Sequence, residues 1–259
     1  MTESLTMTYD AREFARVRNP VLLISAVTWI LLLVESGSMV MFAHGPATSS
    51  GAMPLSASWQ MLMTMNPPAS LAAGWVLMLV AMMSPVLIPP VRHLRLRSFT
   101  HRRTRSIVLF VVGYAAIWMA AGIMLTALVM GARLVAPSAS VAVAMVTIVA
   151  LVWQFSPIKQ RCLNRCHFHP ELAAFGIAAD LDALRFGLAH GVWCVGSCWA
   201  LMLLPLVVSG GHLAVMAGVS LWLAAERLER PMPPRWEWRG PTKAARILVA
   251  QAQMRLQRG

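Results

Sequence analysis

Charge is scarce in these 259 residues, and acidic charge is the scarcest. Asp, Glu, Lys and Arg together make up 12% of the chain, about half of what soluble domains carry. Only ten residues are acidic. Apolar residues reach 58%, against roughly 45–50% in soluble proteins, and mean hydropathy is +0.64. Ions are costly in hydrocarbon, so this deficit excludes an ordinary soluble globular protein and assigns most of the chain to a bilayer. Other absences narrow the function. There is no Walker motif and no dinucleotide fingerprint, so any transport is expected to be passive, gradient-coupled or driven by a partner. No internal repeat stands out. Basic and aromatic residues do not interleave as single-strand binding requires, so the net charge of +12 is assigned to membrane topology and not to nucleic acid. The first eighteen residues are polar and the first apolar run is too long for an h-region, so no cleavable leader is expected. The four cysteines form two pairs, Cys162/Cys166 in the cytoplasm and Cys194/Cys198 within the bilayer. Neither place favours a structural disulfide.

What is present is a series of apolar stretches. A span needs about 20 mostly apolar residues, and six stretches qualify, near 20–43, 70–91, 106–130, 136–157, 183–208 and 212–228. Asn19-Pro20 reads as a helix start. Pro85, Pro89 and Pro90 read as a kink or an end of the second stretch. Counted on alternating sides of these stretches, twenty Lys and Arg fall on one side and only Arg133 on the other, with Arg185 inside the fifth. The positive-inside rule makes the heavily basic side cytoplasmic, with both termini inside. The fold class is therefore all-α: a polytopic transmembrane helix bundle of about six spans. A cytoplasmic N-terminal segment (1–18) precedes the span domain (19–230), and a basic cytoplasmic tail (231–259) follows. Within the tail, 243–258 reads as a weakly amphipathic basic helix suited to an anionic inner leaflet.

The fifth stretch carries the chemistry. His190, Cys194, Cys198 and Met202 are each four residues apart, and i, i+4 side chains share a helix face. Cys and Met select Cu(I) and other thiophilic ions, and imidazole suits Cu, Zn, Fe and Ni. Gly187, Gly191 and Gly196 let a neighbouring helix come close, so the stripe is expected to face the bundle. At about 1.5 Å per residue, Cys194 lies about 16 Å into its span, near the bilayer midplane. Met82, entering from the opposite end of its own span, reaches a similar depth, with Met78 and Met83 beside it. Cys and Met are also ordinary core residues. A histidine inside a span is expensive and marks a functional candidate.

A second cluster follows the fourth stretch. Cys162 and Cys166, then His167 and His169, fall within eight residues, beside Arg161 and Arg165. The spacing is not the zinc-finger C-x₂-C, and no second half exists. A metal-capture patch, a reactive thiol pair and a plain basic loop remain open for it. Among the other polar residues, Glu35 is an intramembrane candidate, Glu226 is expected to pair with Arg227 and snorkel, and Gln154 is expected to bond between helices. His44 and His212 read as outer-face histidines, and His93 and His101 as members of a basic loop and not ligands.

At these residues the chain resembles a bacterial family of predicted metal-binding integral membrane proteins of unknown function. Residues 78–85 (MLVAMMSP), 154–166 (QFSPIKQRCLNRC) and 190–202 (HGVWCVGSCWALM), then a span ending near Glu226, carry the likeness over about 73–227. The family commonly has adjacent cysteines before the tryptophan; here Ser197 precedes Cys198 and offers at most a weak donor. The resemblance implies the cytoplasmic (inner) membrane of a bacterium.

These readings converge on a multi-pass membrane protein that handles a thiophilic ion, copper as Cu(I) before zinc or iron, by transfer, delivery or transport. The expected ligands are His190, Cys194 and Cys198, with Met82 and Met202 as weaker ones and Cys162, Cys166 and His167 on the inner side. The expected partners are the lipid bilayer and a membrane or soluble metalloprotein. Two alternatives stay open: a membrane oxidoreductase using thiol–disulfide or copper redox chemistry, and an assembly subunit whose polar stripe only packs.

Overall fold

The computed structural model describes residues 2–34, 68–208 and 210–237, with positions 243, 246–247, 249–250 and 253–254 of the tail. Glu35, His44 and most of the tail helix expected at 243–258 lie outside the described residues. Within them the chain is all-helical: α1 (Thr2–Val34), α2 (Pro68–Met83), α3 (Ile88–Arg97), α4 (Arg103–Val135), α5 (Ala139–Phe155), α6 (Pro157–Cys166), α7 (Gly176–Val207) and α8 (His212–Arg227). Four segments are long and apolar enough to cross a membrane: Arg12–Val34, Ala72–Arg97, Thr100–Arg133 and Gly176–Val207. The α5–α6 pair, bent by 67°, makes a fifth if it counts as one span. Over the sixth expected stretch α8 has 16 residues, a turn short of the roughly 20 that a span needs.

Two boundaries differ from expectation, and a third takes one of its two expected forms. Asn19-Pro20 starts no helix; α1 runs through Pro20, whose ring removes only one N–H donor from a helix of 33 residues. Pro85, Pro89 and Pro90 interrupt the second stretch without ending it, one of the two outcomes expected of them. Pro85 opens a 3₁₀ turn, Ser84–Leu87, and Pro89 and Pro90 sit at the start of α3, where no intrahelical N–H is needed. Residues after Phe155 are helical, not a loop. Ser156 caps α6 by accepting the Ile158 N–H at 3.1 Å, with Pro157 in the first turn, and both are start signals.

Pro85 has no N–H to return to Ala81, and α1 supplies the replacement. Ser25 Oγ donates to the Ala81 carbonyl at 2.7 Å and Trp29 Nε1 at 3.1 Å. A side-chain bond thus repairs the break and fixes α1 against α2.

The long helix α7 is the hub, packing on α4, α5, α6 and α8. Its glycines work as the sequence predicts. A Cβ on Gly187 would collide with the Phe110 backbone carbonyl, Gly191 abuts Ile117, and Gly196 abuts the Cys162 sulfur. From the facing side, a Cβ on Gly113 would lie 2.7 Å from the Leu184 carbonyl oxygen. The two backbones of α4 and α7 are therefore nearly in contact. Both ends of α7 are fastened. Arg102 and Arg105 pair with Asp180 at 2.7 and 2.6 Å, and Arg133 Nη2 donates to the Val207 carbonyl at 3.2 Å. Gly211, at φ +75°, caps the start of α8 in a conformation that suits glycine. The tail docks on α6: Asn164 Nδ2 donates to the Met232 carbonyl at 2.7 Å, and Met232 N–H returns to Asn164 Oδ1 at 3.3 Å.

Outward faces are aliphatic. Ile123 is 76% exposed, Leu221 73%, Leu23 65% and Ile148 60%.

Candidate metal centre

The stripe on α7 turns inward over its whole length. His190, Cys194, Cys198 and Met202 are all buried. Met78, Met82 and Met83 of α2 belong to the same buried cluster as Cys194, Cys198 and Met202. The two sets of soft donors that depth alone brought level are thus in one core. Trp118 and Tyr114 of α4 complete it, and Tyr114 Oη lies 3.4 Å from Cys194 Sγ. Two side chains bond back to the preceding turn of α7. Cys198 Sγ donates to the Cys194 carbonyl at 2.9 Å and Ser197 Oγ donates to it at 2.8 Å.

The second cysteine pair is not on a solvated loop. The sharp bend at Ser156 lays α6 against α7, and both Cys162 and Cys166 are buried. Cys162 packs on Gly196. Cys166 joins the cluster of Cys194 and Cys198. The clusters that the sequence separates are therefore one site, because α6 is a helix with its own i, i+4 face.

At the centre of that site stands Arg227, the last residue of α8. Its Nη2 donates to Cys194 Sγ and to Ser197 Oγ, each at 3.2 Å, and its guanidinium also hydrogen-bonds Cys166. Arg161 and Arg165, the expected neighbours of the thiols, point elsewhere. Arg161 is exposed, and Arg165 lies 5.6 Å over the Trp193 ring. Sequence reasoning offers Arg227 only as the partner of Glu226 at the inner end of the sixth stretch. Its only signal is its position at the end of an apolar helix, and nothing in the spacing shows that it turns inward.

Glu226 does not pair with Arg227. It accepts from Lys159 Nζ at 2.6 Å, from Trp222 Nε1 at 2.8 Å and from Gln154 Nε2. Glu226 and Lys159 are both about 5% exposed. This buried pair fixes α6 to α8, and Gln154 bonds between helices as expected. His167 has both ring nitrogens on backbone carbonyls, Nδ1 on Leu163 at 3.0 Å and Nε2 on Arg227 at 3.2 Å. In this arrangement it ties the end of α6 to the end of α8, with each ring nitrogen directed at a backbone carbonyl.

His190 differs. It is 4% exposed, surrounded by Phe110, Tyr114 and Phe186 with centroids at 5.8, 6.0 and 5.9 Å, and its Nε2 is buried without a hydrogen-bond partner. It also lines a cavity of about 310 Å³, walled by Arg165, Glu171, Arg185, Phe186 and Trp193. His212 Nδ1 bonds the Pro205 carbonyl at 2.6 Å. Outside the long helices, partial desolvation and the neighbouring His93 ring hold the largely exposed His169 imidazole below its ordinary pKa.

Among the described residues no three His, Cys, Asp or Glu side chains already form a metal-binding group. What fits a soft cation is the donor chemistry: three thiols and two or more thioethers in a dry core, and one imidazole nitrogen left without a partner. The model of the PpoB2 copper chaperone family matches residues 72–249, a range that contains every one of these donors. No curated protein and no solved structure matches the chain.

Proposed function

Because the chain belongs to the PpoB2 copper chaperone family, we propose that it is an integral membrane protein that binds Cu(I) among Cys166, Cys194 and Cys198 and hands it to a metalloprotein partner. The observation that carries this reading is the gathering of three thiols from two helices around one guanidinium in an apolar core. Low-coordinate Cu(I) favours soft sulfur donors. Metal-bound thiolates bring negative charge into a medium that solvates it poorly, and Arg227 offsets it. His190, one turn toward the cavity, is the nitrogen donor at the approach. Met82 and Met202 are weaker ligands on the far side. Cys162, directed at Gly196, holds α6 in place.

Membrane insertion is part of the proposal. Aliphatic side chains cover the outside of α1, α4 and α5, and hydrocarbon is the solvent that accepts them. The basic residues then orient both termini inward, in the inner membrane of a bacterium. No nucleotide-binding motif is present, so copper moves by ligand exchange, down an affinity gradient set by the partner.

The test is sulfur-ligated copper in the full-length, detergent-purified chain, loaded under reducing conditions and read by elemental analysis and X-ray absorption. Wild type is expected to hold it. Cys194→Ser and Cys198→Ser are each expected to lose affinity at least about tenfold, as loss of a ligand or its support does. Copper held equally by both variants overturns the reading. Metal-free wild type with a reversible intrachain disulfide overturns it in favour of thiol–disulfide chemistry, for which all four cysteines stand free.

A further inference from the structure

Away from the thiols, two imidazoles meet from distant parts of the chain. His93 belongs to α3 and His169 to the connection between α6 and α7. Their ring centroids are 4.9 Å apart at an interplanar angle of 53°. Each ring has one nitrogen against a backbone carbonyl: His93 Nε2 at 2.9 Å from Pro170 O, and His169 Nδ1 at 3.0 Å from His167 O. A carbonyl only accepts, so those two nitrogens carry the protons. In the neutral rings His93 Nδ1 and His169 Nε2 are then lone pairs. Metal-ligating histidines are oriented in this way, with the second N–H given to a carbonyl that fixes tautomer and ring.

We propose that His93 and His169 form a second, nitrogen-only site for Cu(I) or a like soft monovalent cation, at the basic end of the bundle. The ion bridges the two free nitrogens in the two-coordinate manner open to Cu(I). Metal–imidazole bonds are about 2 Å long, so the rings need to separate slightly, and the exposed His169, outside any helix, has room to turn. Phe186 packs against both rings, at 5.9 and 6.4 Å, and against His190 at 5.9 Å. The pair therefore stands one aromatic ring from the nitrogen end of the α7 stripe. Two nitrogens hold Cu(I) less tightly than thiolates do, and an exposed site exchanges readily. This is a station where copper is received or released, in line with the stronger sulfur site. The choice of ion rests on the copper reading above; the ligands do not depend on the cysteines.

The experiment uses the full-length chain in detergent with Cys166, Cys194 and Cys198 replaced by serine, titrated with Cu(I) against a chromophoric chelator. Copper is expected to remain bound, with nitrogen and no sulfur neighbours in X-ray absorption. Adding His93→Ala or His169→Ala is expected to weaken it at least about tenfold, and adding His101→Ala, a histidine of the basic loop outside both sites, to leave it unchanged. Retention in both His93→Ala and His169→Ala overturns the proposal, as does an equal loss in His101→Ala. If the serine variant does not fold, wild type decides. It is expected to take a second, nitrogen-ligated ion that His169→Ala removes without disturbing the sulfur-ligated one, and absence of that second ion overturns the proposal. Failure of the sulfur reading looks different: nitrogen-ligated copper in wild type with no sulfur shell.

Discussion

Arg227 Nη2 stands 3.2 Å from the sulfur of Cys194, at the end of a helix that begins on the opposite side of the bundle from where its charge is used. A fixed cation is thus already present among the soft donors. A guanidinium presents several donors in one plane, which lets it serve Cys194, Ser197 and Cys166 together.

Removing that charge is expected to weaken copper binding. Arg227→Gln leaves metal-bound thiolates uncompensated in an apolar core, and breaking such a buried interaction costs about 3 kcal/mol or more. Affinity for Cu(I) should fall by about a hundredfold or more in competition with a chelator. Arg227→Lys, which keeps charge but not the planar fork, should fall between the two. Unchanged affinity in Arg227→Gln would remove the guanidinium from the site's chemistry.

Glu226→Gln leaves Lys159 buried and positive without its partner. The expected loss is about 3–5 kcal/mol in unfolding free energy, measured by denaturant unfolding in mild detergent. The double change Lys159→Met with Glu226→Leu should recover most of it, because two well-packed apolar groups replace a buried ion pair at little cost.

Gly187→Ala sets a methyl against the Phe110 carbonyl, a backbone atom that cannot swing away. Overpacking of this kind costs about 1–3 kcal/mol. Gly131→Ala, with nothing within 4 Å of the new carbon, is expected to be neutral or to stabilise by up to about 1 kcal/mol. Thermal unfolding of the pair measures how closely α4 and α7 approach.

Ser25→Ala together with Trp29→Phe strips the Ala81 carbonyl of both side-chain donors. A buried acceptor left unpaired costs about 1–3 kcal/mol. The change should be smaller when Pro85→Ala is introduced as well, since an alanine restores the missing N–H.

The helical class and the inward stripe on α7 were legible in the sequence because both rest on periodicity: long apolar runs, and four donors at intervals of four. The α2 methionines could be matched to that stripe by counting rise along two antiparallel helices. The position of Cys166 was not legible in the same way. Ser156-Pro157 reads as a breaker when the preceding run is taken for a span, and as a cap plus first turn when the following ten residues are taken for a helix; only packing on Gly196 decides between them. The inward turn of Arg227 has no local signature. It depends on three thiols and a hydroxyl that lie at least 29 positions away in the chain. The same holds for His93 and His169, which a count of loop charges leaves apart and the fold brings together.

The bend at Ser156 has a mechanical result. Cys166 sits at the far end of a short helix set off from the one before it by a bend at one residue. Both ends of that short helix are tethered to consecutive residues of α8, through Lys159 to Glu226 and through His167 to the Arg227 carbonyl, and its flank is stitched to the chain just beyond by Asn164 and Met232. The chain beyond α8 therefore couples directly to the helix that carries one sulfur of the three, and not to the long central helix that carries the other two.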